Sequence, residues 1–125
     1  SGMDAGQIYN SWPLMGNSYF PDDNKIINIL KLSAFSEPSL VQFMHRNLAY
    51  AILIFYIFIL FRIYEMKLRY LYPAINFVGL FLIIQILLGI LTLIFGAGIY
   101  IASMHQISSI FLVSSSVYFL YLNSN

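Results

Sequence analysis

The sequence predicts an all-α membrane protein with three transmembrane helices. Three observations carry this. Of its 125 residues, 60% are hydrophobic and only 9% charged, with a mean hydropathy of +0.79. A soluble domain carries about 25% charged residues, so this chain cannot cover itself in water. From Tyr70 to Asn125 there is no Asp, Glu, Lys or Arg, a length that allows two crossings of a hydrocarbon layer roughly 30 Å thick at about 20 residues each. The apolar runs are interrupted twice, by a basic stretch ending at Arg69 and by Gly96-Ala97-Gly98. The partner these features imply is a lipid bilayer. The net charge of +1 gives no sign of a nucleic-acid partner. The absence of cysteine excludes disulfides and thiolate metal sites.

Residues 1–36 form a polar, aromatic-rich lead-in, an outer-side loop with one short amphipathic helix. Its start, Ser1-Gly2-Met3-Asp4-Ala5-Gly6, has neither a basic n-region nor an apolar h-region. It is therefore not a signal peptide and reads as an internal segment of a longer chain. Trp12-Pro13 and Phe20-Pro21 impose extended backbone before each proline, and Gly16-Asn17 marks a turn. From Asp22 onward Ile26, Ile27, Ile29, Leu30 and Leu32 alternate with Asn24, Lys25, Asn28 and Lys31. That pattern fits a short helix lying on the membrane surface or packed on the protein.

Residues 37–125 form the membrane bundle. The first span runs over about 38–64. Ser36 or Ser39 is its candidate cap, Pro38 suits its first turn, and Ser39-x-x-Gln42 matches a capping box. It ends near Arg62, Glu65, Lys67 and Arg69. The second span, about 73–95, starts at Pro73 and stops at the Gly96–Gly98 break. The third covers about 99–122. Tyr64, Tyr70, Tyr72 and Tyr100 fall at span ends, as an interfacial aromatic belt requires. The dense positive charge of the loop after the first span faces the cytoplasm or the mitochondrial matrix, which puts the lead-in and the Gly96–Gly98 turn outside.

The two histidines of the chain, His45 and His105, both lie within spans. His45 follows Glu37 by eight residues, about 12 Å of helix; His105 follows Gly98 by seven, about 10 Å. Both helices enter from the outer side, so the imidazoles lie at one depth. Two histidines on facing helices are what a six-coordinate haem iron needs. Ala49, Ser108 and Ser109 leave room beside them for a flat macrocycle. Arg46 suits a haem propionate, or reaches the headgroups. A zinc or copper site would want further ligands, and no cysteine or nearby carboxylate offers one. The bland alternative is a pair of histidines that only hydrogen-bond across helices. Gln85 and Gly89 share a helix face and point to a tight, hydrogen-bonded helix contact. Ser114, Ser115 and Ser116 read as packing.

Several motifs resemble haem A synthase, a cytochrome c oxidase assembly family of mitochondrial and alphaproteobacterial type. Met3 to Gly16, continuing to Phe20-Pro21-Asp22-Asp23, is similar to the outer loop of that family's second half. Gln42-Phe43-Met44-His45-Arg46 resembles its Gln-Phe-x-His-Arg motif. Gln85-Ile86-Leu87-Leu88-Gly89-Ile90-Leu91-Thr92 resembles its Gln-x-x-Leu-Gly-x-x-Thr helix, and Met104-His105-Gln106 its Leu-His-Gln motif. The resemblance implies part of a four-helix haem-binding bundle, half of an eight-helix pseudo-symmetric fold that oxidises a methyl of haem O to the formyl of haem A. It implies a b-type haem (iron) as cofactor, with His45 and His105 as axial ligands and Arg46, Gln42 and Gln106 around them. Gln42 stands where the other half of the family carries glutamate. No catalytic residue is therefore expected in this chain, and these 125 residues alone should not turn over. The missing partner is the N-terminal half of the same enzyme; the electron donor and any homo-oligomer stay open. The family's usual proline before the last span is replaced near Gly98. The implied location is the mitochondrial or bacterial inner membrane. The alternative is a bis-histidine cytochrome b anchor that relays electrons without catalysis, and a third reading is a haem-free structural membrane protein.

Overall fold

Backbone groups have no water to bond in hydrocarbon, so spanning segments close their hydrogen bonds within a helix. The computed structural model describes residues 5–124 and contains three such helices, α1 (Pro38–Glu65), α2 (Tyr72–Ile94) and α3 (Ile99–Ser124). All three are long and apolar enough to cross a membrane. Among the described residues there is no strand, apart from one isolated bridge between Met15 and Ser18. Met3 and Asp4, the start of the lead-in motif, lie outside the described residues.

Helix α1 begins at Glu37 as N-cap with Pro38 in its first turn, and no side chain caps it. The expected caps are not made. Ser39 is buried and accepts a hydrogen bond from Asn24 Nδ2 at 2.9 Å. The Gln42 amide donates to the Tyr9 carbonyl at 3.1 Å, so the predicted capping box does not form. Both side chains hold the lead-in, which leaves nothing for the helix end.

The ends of α1 and α2 share one device. The Leu68 N–H reaches the Ile63 carbonyl and the Lys67 N–H the Tyr64 carbonyl. Likewise the Ala97 N–H reaches Thr92 and the Gly96 N–H reaches Leu93. These are Schellman closures, which require a left-handed residue after the cap. Gly96 supplies it at φ 64°, whereas at the other end Lys67 is forced to φ 54°.

With short connections, α2 runs opposite to α1 and α3. Helices α2 and α3 pack along their lengths, α1 touches α2 less, and α1 and α3 have no sustained backbone contact among the described residues. At the end away from the lead-in Ile63, Leu71 and Ile75 form a core with Tyr56, Leu60, Leu68 and Phe119 around it. Most other large apolar side chains, such as Phe55, Phe58, Leu80 and Phe111, are exposed, as lipid-facing surfaces are.

The lead-in covers the other end. The segment expected as one amphipathic helix is two consecutive 3-10 segments, Ile26–Leu30 and Leu32–Ser36, broken at Lys31 in extended conformation. Three β-branched isoleucines and an Asn28–Asn24 side-chain bond compete there with α-helical geometry. Trp12 Nε1 donates to Tyr50 Oη at 2.9 Å, and Tyr19 Oη to Asn47 Oδ1 at 2.6 Å. Phe43 meets Tyr19 and Phe20 edge-on, with ring centres 5.6 and 5.0 Å apart. A Cβ placed on Gly6 would lie 3.5 Å from Ala97 Cβ, so the lead-in reaches from α1 to the α2–α3 turn and roofs the bundle.

Candidate functional site

Beneath that roof the two histidines meet. His45 projects from the second turn of α1 and His105 from the second turn of α3. Their ring centres are 6.3 Å apart and their planes nearly perpendicular, at 81°. The backbones that carry them do not pack, so the rings bridge a gap between the helices. Two imidazoles joined through one metal ion at bonds of about 2.0–2.1 Å have ring centres about 6 Å apart. The observed spacing matches that.

The donor set also narrows the chemistry. Among the described residues no group of three His, Cys, Asp or Glu converges. A bare metal ion would want more ligands than two nitrogens, whereas a haem brings four of its own. The buried Nδ1 of His105 has no hydrogen-bond partner, which is costly unless something else takes it. His45 is exposed.

Helix α2 backs His105. A Cβ on Gly89 would stand 3.1 Å from His105 Cε1, so glycine is what lets the ring lie there. One turn earlier, Gln85 Nε2 lies 3.3 Å from His105 Nε2. The buried Ser108 hydroxyl bonds Gln85 Oε1 and also lies 3.0 Å from the His105 carbonyl oxygen. The tight, hydrogen-bonded helix contact that Gln85 and Gly89 point to is made to α3, with His105 and Ser108 as the partners. The sequence offers Ser108 only as space and names no partner for Gln85.

Arg46 and Gln42 both reach up into the lead-in. Arg46 is 7% exposed. Its guanidinium donates to the carbonyls of Leu14 and Tyr9, each at 3.2 Å, beside the Gln42 bond to the same Tyr9 oxygen. Arg46 Nε and Gln42 Oε1 are buried without partners. The Tyr9 phenol is held as well, donating to Asp23 at 3.1 Å. Burial first, and then that carboxylate, push its pKa up. Gln106 is exposed on α3.

The family model described as "Cytochrome oxidase assembly protein" matches residues 1–117. The chain is 46% identical to the heme A synthase of Pelagibacter ubique over all of its own length and 37% of that protein. It is 36% identical to the heme A synthase of Roseobacter denitrificans, over 85% of this chain and 28% of that protein. With the heme A synthase of Rickettsia prowazekii the identity is 34%, over 99% of this chain and 37% of that protein. The chain thus spans about a third of the length of the curated relatives it matches. No solved structure matches it.

Proposed function

This chain belongs to the cytochrome oxidase assembly protein family, and we propose that it is the cofactor-holding, carboxyl-terminal part of a haem A synthase. The observation that carries the proposal is the His45–His105 pair, 6.3 Å between ring centres on helices whose backbones make no sustained contact with each other. In this reading the two imidazoles would hold a b-type haem, which would supply one-electron transfer.

The chain's own residues bind, orient and shield. Arg46 and Gln42 bind the roof down over the pair. Arg46 Nε–H is a buried donor without a partner that a haem propionate would suit, which supports a place for these two residues at the haem edge. Gln106, next to His105, borders the same edge. The lead-in excludes water from the outer face. Gln42 is neutral, so it offers no general acid or base. Oxidation of the haem O methyl group therefore belongs to the part of the enzyme that the relatives have and these residues lack. The protein lies in an inner membrane with the roof on its outer side. Its bacterial relatives favour the bacterial membrane over the mitochondrial one.

Protein purified from membranes should show a low-spin b-type spectrum. His45→Leu or His105→Leu should abolish it. An unchanged spectrum in both variants would overturn the ligand assignment. A bound haem in a protein without any effect on haem A production would favour a cytochrome b relay instead.

A further inference from the structure

We infer that Gln85 is a positioning residue for His105, holding one ring nitrogen so that the other is presented without a partner. The inference rests on the haem reading above for its purpose, though not for its geometry. Gln85 lies on α2, while the proposed ligands lie on α1 and α3, so α2 takes part in the site by this contact and by the Gly89 face.

Proton counting decides the direction of the bonds. The Ser108 hydroxyl has a single proton and two neighbouring acceptors, Gln85 Oε1 and the His105 carbonyl. Amide oxygen and nitrogen are interchangeable in placement, and the network decides between them. If Ser108 donates to the His105 carbonyl, it accepts from the Gln85 NH2. Gln85 Oε1 then faces His105 Nε2 and accepts its proton. Each contact then pairs one donor with one acceptor, and His105 Nδ1 carries a lone pair. The reverse placement leaves Nδ1–H as a buried donor with no acceptor, since that atom has no partner. The first arrangement is favoured because an orphaned buried donor is the costlier state. A lone pair on an oriented imidazole is also what a metal requires, and a partner on the second nitrogen fixes tautomer and basicity. Gly89 completes the cradle: with no Cβ, it leaves room for the ring's Cε1 side against α2, where Gln85 reaches it.

The test uses the membrane-purified protein labelled with ¹⁵N-histidine. In haem-free protein, His105 should show a protonated Nε2 and an unprotonated Nδ1. In Gln85→Leu that tautomer preference should collapse to a mixture, and in Gln85→Glu it should persist. In haem-loaded protein, Gln85→Leu should keep the low-spin spectrum, shift the midpoint potential upward, and lose haem roughly 10- to 100-fold more readily. Gln85→Glu should shift the potential downward. Ser108→Ala, which frees the amide, should move the tautomer and the potential the same way as Gln85→Leu, and it stands in if that variant does not fold. An Nδ1–H tautomer in the wild type, or a Gln85→Leu protein with wild-type tautomer and potential, would overturn the inference. A locked tautomer in a protein that never takes up haem would uphold the positioning contact and sink the haem reading instead.

Discussion

Replacing Arg46 with methionine tests whether the roof is held by charge or by packing. The guanidinium is 7% exposed and donates to two lead-in carbonyls at 3.2 Å, with no carboxylate near enough to pair. Hydrogen bonds from a charged donor are each worth about 1.5–3 kcal/mol. Against this, methionine removes a buried charge whose desolvation is itself costly. Neither carbonyl is left orphaned, because Gln42 still serves Tyr9 and the Ser11 hydroxyl still serves Leu14 at 2.9 Å. The desolvation relief offsets part of the loss, leaving a net loosening of about 1.5–3 kcal/mol confined to the lead-in. At 1.4 kcal/mol per tenfold, that is roughly a 10- to 100-fold rise in local opening. Amide hydrogen exchange around Tyr9 to Gly16 should accelerate by that factor while α2 and α3 keep their protection. Arg46→Lys should fall between, since one ammonium cannot fork to both carbonyls. Unchanged exchange in Arg46→Met would refute the clamp.

Two further outcomes follow from backbone and packing geometry. Lys67 sits at φ 54° in the Schellman closure of α1, a conformation costing a side-chain-bearing residue about 1–2 kcal/mol. Lys67→Gly should therefore raise the thermal midpoint by a few degrees, after part of the gain is lost to the entropy of the unfolded chain; a lowered midpoint would mean that the lysine charge matters more than its backbone. Gly89→Val pushes side-chain atoms into the His105 ring, because even a Cβ would stand 3.1 Å from Cε1. Overpacking of this kind costs about 1–3 kcal/mol, and the haem-to-protein ratio should fall while the three helices remain by circular dichroism.

Much of the fold is readable along the chain. Long apolar runs without interior charge demand spanning helices, and Pro38, Pro73 and Gly96 punctuate them. The lead-in was less readable. Its isoleucines and asparagines alternate like an amphipathic helix, yet side-chain bonds to α1 and within the segment favour two 3-10 segments. Ser39 and Gln42 looked like a capping box because their spacing is right. They serve the lead-in because tertiary partners at Asn24 and Tyr9 outbid the local ones.

The histidine pair shows where the boundary falls. Depth is a property of one helix: 1.5 Å per residue, counted from where the chain enters the membrane, sets His45 and His105 level without reference to any neighbour. Azimuth is different. Helices that are apolar all round carry little periodic signal of which face is inside. That the two rings turn toward each other, that Gln85 and Ser108 stand beside His105, and that Arg46 turns up into the roof depend on how three helices and a loop pack together. The chain's composition and spacing settle what crosses the membrane and at what height its histidines lie. The packing alone decides what those histidines face, because facing is a relation between helices and is written in no single one of them.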